Sequence, residues 1–183
     1  MPTPESLAEI YGLEGLCEAL AWLLENDHLG AVTLAPGLSY ALTYDQHEDC
    51  RRLWEATEAV LDEGMPLRVR AHWAMKASHF WNNDNANGRT LRLAQTAISA
   101  YRELGERRGL LLASAYHLMA ASAADRTAQG WRRDRVALEG LASATPMSPA
   151  VTHEVDFALS FAVFNSATES SDHASIVLEQ AQQ

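Results

Sequence analysis

The chain contains little cysteine, little proline and no long apolar run. Of its 183 residues only six are proline and two are cysteine, Cys17 and Cys50. Two cysteines supply no disulfide framework, which favours a reducing compartment. No apolar stretch reaches the roughly 18 residues that a membrane-spanning helix requires. The first ten residues carry two glutamates and no basic residue, unlike a secretion signal. We therefore expect a cytoplasmic protein with no membrane partner.

Alanine and leucine dominate what is present, with 31 and 24 residues respectively. No run of alternating β-branched or aromatic residues predicts a strand, so the composition favours an all-α fold. The length is that of one ordinary domain, and no linker interrupts it. The sequence thus predicts a single helical domain over 1–183.

Charge is distributed unevenly along the chain, whose formal net charge is −10. Residues 1–65 carry a net −11, residues 66–135 a net +7, and residues 136–183 a net −6. An acidic chain is a poor general ligand for nucleic-acid phosphate, so direct nucleic-acid binding is not expected. The basic middle can bind an anionic partner, or it can pair with the acidic ends within the chain or across a homodimer.

Helix start and stop signals recur at regular intervals. Their spacing predicts helices over 5–26, about 36–44, 49–63, 67–81, 88–104, 108–124, 131–143, 149–167 and 171–183. Small and apolar positions also recur, because Leu53, Ala56 and Ala59 match Leu91, Ala94 and Ala97 at a distance of 38 residues. Such spacing favours stacked helical hairpins, although alanine-rich helices also match one another by chance.

The segment LAQTAISAYRELGERRGLLLASAYHLMAA, residues 93–121, resembles a tetratricopeptide-like (TPR-like) repeat of the long type. Arrays of this type occur in large bacterial transcriptional regulators of the maltose-regulator and LuxR type. The resemblance implies a right-handed superhelix of about four helical hairpins, whose concave surface binds a protein or peptide. It implies a protein-interaction or scaffold module in a bacterial regulatory system, and no catalytic chemistry. The alternative is a fragment of such a regulator that senses a small effector.

Candidate contact residues follow the polar face of the helix predicted over 67–81. Arg68, His72, Lys76 and His79 are spaced as one stripe on a helix that is otherwise apolar. Two later helices carry comparable stripes, containing His117 in the first and His153 with Asp156 in the second. If the repeats stack, the three histidines His79, His117 and His153 form a ladder on the inner surface. The alternative is that these stripes are ordinary solvated faces.

A metal or acid–base role for His153 and Asp156 would need further partners. No glycine-rich loop, nucleophile motif or metal-ligand signature accompanies them. We therefore predict no enzyme, no metal and no cofactor.

The remaining candidates are Trp131 and Arg132 at the start of a predicted helix. Tryptophan and arginine dominate interface hot spots, so these residues are candidates for an exposed contact patch. The alternative is a tryptophan folded over its own turn. We expect the five tryptophans of the chain to lie mostly in the core. We also expect Cys17 to lie in the core and Cys50 to be buried or inert, because Glu48 and Asp49 beside Cys50 disfavour a thiolate.

Overall fold

The computed structural model describes residues 15, 17–41, 47–83, 87–124 and 129–181, without the side chains of 39–41, 47, 83, 87, 129–130 and 166–181. These residues form eight helices and no strand, which confirms the all-α prediction. The helices are α1 (17–26), α2 (His28–Ala41), α3 (His47–Ala59), α4 (Leu67–Asn83), α5 (Asn87–Leu104), α6 (Arg107–Ala124), α7 (Gln129–Ser143) and α8 (Pro149–Ala181). Within this described part, no helix combines the length and apolarity needed to cross a membrane.

The chain divides into two compact units, Met1–Ala77 and Ser78–Gln183. We call them the N-terminal unit and the C-terminal unit, and α4 contributes residues to both. Both the single domain over 1–183 and the superhelix of four hairpins stay predictions.

Three predicted helix boundaries differ clearly from those of the structure. Helix α3 ends at Ala59 and not at Glu63. Helix α2 begins at His28 and not near residue 36, because Asp27 caps it: the Gly30 amide donates to Asp27 Oδ1 at 2.9 Å. The two helices predicted over 149–167 and 171–183 are one helix, α8. No proline or glycine interrupts its interior, and serine and threonine alone disfavour a helix too weakly to end it.

Two tryptophans organise the core of the N-terminal unit. Trp54 on α3 and Trp73 on α4 are both fully buried, with ring centroids 5.6 Å apart in an edge-to-face arrangement. Trp73 Nε1 donates to Thr57 Oγ1 at 3.0 Å, and the Thr57 hydroxyl donates to the Leu53 carbonyl at 2.9 Å. These buried polar groups are therefore paired, as their desolvation requires. Trp22 on α1, by contrast, is 61% exposed and is the exception among the five tryptophans.

The C-terminal unit is built around the α5–α6 hairpin. Gly105 closes α5 with a φ of +68°, and the Glu106 amide donates to the Tyr101 carbonyl at 3.0 Å, which is the hydrogen bond of a Schellman cap. A short turn of this kind makes α5 and α6 antiparallel neighbours. Gly109 on α6 lies directly against the buried ring of Tyr101, leaving no space for a Cβ atom.

Helix α6 is the centre of this unit, since α5, α7 and α8 all pack against it. Four of its eight buried residues are small, namely Ala113, Ala115, Ala120 and Ser122, which allows close approach of its neighbours. Asn165 Nδ2 on α8 donates to Ser122 Oγ at 3.2 Å, a buried pair that fixes the register of α8 on α6.

Replacing Gly109 with alanine should destabilise the fold, because its Cβ would overlap the Tyr101 ring. We expect a loss of about 1–3 kcal/mol of unfolding free energy, typical of overpacking, measured by chemical or thermal denaturation. Gly140→Ala is the matched control, since Gly140 lies in α7 with open space where a Cβ would stand, and we expect a gain of about 0.5–1 kcal/mol. Equal stability of the two variants would contradict the close α5–α6 contact.

Candidate functional site

Three helices of the C-terminal unit enclose a groove of about 320 Å³, which we call the α5–α7 groove. Helix α5 forms one wall, α6 the floor and α7 the other wall. The lining residues are Gln95, Ile98, Arg102, Leu110, Ser114, His117, Asp134, Ala137, Leu138 and Leu141.

The three helices are antiparallel neighbours, so the lining residues fall into layers. The contact between His117 and Asp134 sets the register of α6 against α7, and that between Tyr101 and Gly109 sets α5 against α6. The first layer is Gln95, His117 and Asp134; the second is Ile98, Ser114 and Ala137; the third is Arg102, Leu110 and Leu141. Along α7 the layers run from 134 to 141, a length of about 10 Å at the rise of an α-helix.

The polar end of the groove is a histidine–carboxylate pair. His117 Nδ1 lies 3.4 Å from Asp134 Oδ2, and the two side chains are 21% and 42% exposed. A pair this exposed contributes little to stability, but it orients the imidazole ring beside Gln95. It can exchange hydrogen bonds with a ligand, and in the described part of the chain no group of three His, Cys, Asp or Glu side chains could hold a metal ion.

Exposed arginines lie at one end of the groove and in a neighbouring depression. Arg102 stands in the third layer, and Arg132 and Arg133 border a shallow depression on α7 that shares Ala137 with the groove. In contrast, Arg135 on the same helix is neutralised by Glu139, with Nε and Oε1 2.9 Å apart. The groove therefore has an arginine at one end, a histidine–aspartate pair at the other and an apolar middle between them.

Trp131 is a correction to the sequence prediction. It is only 4% exposed, because it lies on the same side of α7 as the buried Leu138, so the predicted exposed aromatic contact is wrong. Arg132 remains exposed, with its guanidinium carbon 5.8 Å from the Trp131 ring centroid. On this surface Arg132 lies beside the exposed Val136, not beside an exposed tryptophan.

The three ladder histidines lie in three different surroundings. His79 is half-buried and stacks on the buried Tyr116, with ring centroids 4.5 Å apart. His117 instead points into the groove, and His153 is exposed on α8 with Asp156. Successive residues of an α-helix are rotated by about 100° about the helix axis, so Tyr116 and His117 lie on different faces of α6. The ladder itself stays a prediction.

The predicted basic stripe of α4 borders a separate depression in the N-terminal unit. Arg68 and His72 line this depression of about 210 Å³ together with residues of α2. Partial burial of the imidazole ring, and secondarily the positive charge of Lys76, lower the pKa of His72. His72 is consequently neutral near pH 7. Both Arg68 and Lys76 already interact with other groups of the chain, which makes this stripe a weaker candidate than the groove.

The two cysteines differ in exposure. Cys17 is exposed on α1, contrary to the predicted core position, whereas Cys50 is buried on α3 as expected. Burial, followed by the charge of Asp49 and the effect of Cys17, raises the pKa of Cys50 to about 11. Burial and Asp49 also raise the pKa of Cys17. Neither thiol is therefore an activated nucleophile at neutral pH.

At pH 8 we expect a thiol-specific reagent to modify Cys17 first and Cys50 only after unfolding. Cys17→Ser should leave a single, slowly reacting thiol in the native protein. The raised pKa also predicts that stability falls with pH: unfolded Cys50 loses its proton near 9.0 and folded Cys50 near 11, so the loss accumulates between these values. Two rapidly reacting native thiols would contradict this arrangement.

Comparisons with known proteins identify no relative: neither a protein-family model, nor a curated protein, nor a solved structure matches the chain. The site consequently rests on its own geometry. Sequence reasoning selected His117 and Arg132 but missed Asp134, Arg102 and Ala137. These residues have no local motif, and only the antiparallel pairing of three helices brings them together.

Proposed function

We propose that the protein is an interaction module that binds a segment of a partner protein in the α5–α7 groove. The observation that carries the proposal is the arrangement of that groove. Its apolar middle, formed by Ile98, Ala137 and Leu138, is flanked by a hydrogen-bonding pair at one end and by Arg102 at the other. Helix-in-groove recognition uses such a combination of apolar anchors and flanking polar contacts.

The dimensions of the groove suit a short helical or extended segment. A length of about 10 Å accommodates two turns of helix or three extended residues. The layered arrangement gives a bound segment a direction, because Asp134 and Arg102 favour opposite charges at the two ends. Arg102, with Arg132 and Arg133 in the neighbouring depression on α7, adds electrostatic attraction for acidic groups of a partner.

The TPR-like resemblance supports the same function. The hairpin formed by α5 and α6 coincides with residues 93–121, the segment that carries the resemblance. We propose that the chain works as a TPR-like scaffold in the cytoplasm, associated with a bacterial regulatory system. The groove lies between this hairpin and the helix that follows it, and helical scaffolds of this type bind their partners on such inter-helix surfaces.

A small effector is the alternative occupant. The groove volume of about 320 Å³ is at the lower end of the range for small-molecule sites, roughly 300–1,000 Å³. An effector with an anionic group could contact Arg102 while its other end accepts or donates hydrogen bonds at His117. This is the function of a sensing fragment, and its ligand would co-purify with the protein.

Ala137→Trp should block the groove, because an indole at this position fills the second layer. We expect affinity capture from the native cell extract to recover at least about tenfold less of a specific partner, the loss expected when a hot-spot contact is removed. Circular dichroism should show an unchanged helix content, since Ala137 is exposed.

Thr96→Trp is the matched control, because Thr96 is exposed on α5 and does not line the groove. This variant should capture the partner as well as the parent chain does. Undiminished capture by Ala137→Trp would contradict docking in the groove. A small molecule seen by native mass spectrometry in the parent and absent from Ala137→Trp would favour the effector alternative.

A further inference from the structure

The layers of the α5–α7 groove repeat once per helical turn. Successive layers are three or four residues apart on both walls, which corresponds to about 5.4 Å along a helix. On α7 the layers are formed by Asp134, Ala137 and Leu141, and on α5 by Gln95, Ile98 and Arg102. The groove therefore offers three contact positions that are separated by one helical turn each.

A helical segment matches this spacing and an extended segment does not. Side chains on one face of a helix recur every three or four residues, so one side chain of a bound helix can enter each layer. Side chains on one face of a strand recur about every 6.6 Å, so three of them span about 13 Å. This span exceeds the groove, which is about 10 Å long. The layer spacing therefore favours a helical occupant of about two turns.

The middle layer accepts an apolar side chain. Its members Ile98, Ala137 and Leu138 are apolar, and its polar member Ser114 donates its hydroxyl to the Leu110 carbonyl at 2.7 Å. Because this hydroxyl proton is already bonded within α6, an apolar group can cover the layer without leaving a donor unsatisfied. The short side chain of Ala137 leaves room for a larger side chain of the occupant.

The two end layers differ in charge and in hydrogen-bonding capacity. Arg102 is exposed in the third layer, and its guanidinium presents N–H donors that match a carboxylate. In the first layer the Asp134 carboxylate is 42% exposed and can accept hydrogen bonds beyond the one from His117. The ends therefore favour an acidic group at Arg102 and a hydrogen-bond donor at Asp134.

We infer that the occupant of the groove is an amphipathic helix of a partner protein that contributes one side chain to each layer. An acidic side chain contacts Arg102, and an apolar side chain three or four residues away enters the middle layer. A lysine, arginine or amide side chain, seven residues from the acidic one, donates to Asp134. This assignment rests on the proposed docking function and names the chemical class of the segment that docks.

Site-specific photo-cross-linking at the two ends of the groove measures the conformation of the occupant. A photoreactive phenylalanine replaces Gln95 in the first layer of one variant and Leu141 in the third layer of another. We expect both variants to label the same partner segment, at attachment points about seven residues apart, because a helix advances about 10 Å over seven residues. A probe at Arg92, which is exposed on α5 outside the groove, is the matched control and should not label this segment.

The labelled segment, synthesised as a peptide, then tests the charge of the third layer. Arg102→Glu should weaken binding of the peptide about tenfold, because attraction of its acidic side chain becomes repulsion. A peptide with lysine at that acidic position should bind Arg102→Glu better than it binds the parent chain. Arg92→Glu is the control and should bind the original peptide as the parent does.

Attachment points about three residues apart would overturn the helical occupant, because an extended segment covers about 10 Å in three residues. An adduct at only one of positions 95 and 141 would also overturn it, since the segment would not span the layers. Equal affinity of the peptide for the parent and for Arg102→Glu would overturn its acidic end. In these three cases a docked segment, and with it the proposed function, would stand. The proposed function itself would fail if positions 95, 137 and 141 all formed no adduct.

Discussion

Close packing of α6 against its neighbours determines the architecture of the C-terminal unit. Gly109 admits the ring of Tyr101, and fully buried alanines let three helices approach one central helix. In an interior packed this densely, a change in the volume of one side chain displaces its neighbours. The same pattern leaves the polar edge of α6 uncovered between α5 and α7, and this uncovered edge is the floor of the groove.

The chemistry of the groove follows from this packing. His117 is on the uncovered edge of α6, where it meets Asp134 from α7, while Arg102 ends the opposite wall. The site combines an apolar contact area with charged groups at both ends, and this combination suits the recognition of a partner segment in one orientation. The Arg102 end of the groove is where an acidic group of a partner segment gains electrostatic attraction.

Much of the fold could be predicted from local signals. The ends of α4, α5 and α6 follow from Asn, Gly and the apolar spacing, and four of the five tryptophans, expected to lie mostly in the core, are buried. Sequence patterns failed where a single side chain decided the outcome. The Asp27 side chain caps α2, so this helix begins before Gly30. Trp131 is buried because its side of α7 faces the core.

The candidate site was predicted only in part, for a physical reason. Helical periodicity shows which residues share a face, so it grouped His153 with Asp156 correctly on one exposed face. It cannot give the register between helices. The pairing of His117 with Asp134, and the sharing of Ala137 between two depressions, depend on that register. The sequence pattern likewise did not reveal that Phe157 is exposed, because it lies among other apolar residues of α8.

Site-specific photo-cross-linking in living cells decides whether a protein segment occupies the groove. A photoreactive phenylalanine at position 137 would lie within the second layer, and one at position 96 would lie on α5 outside the groove. We predict that position 137 alone forms a discrete adduct with a protein segment, whose peptide can be sequenced by mass spectrometry. Equal labelling at both positions, or none at 137, would contradict docking in the groove.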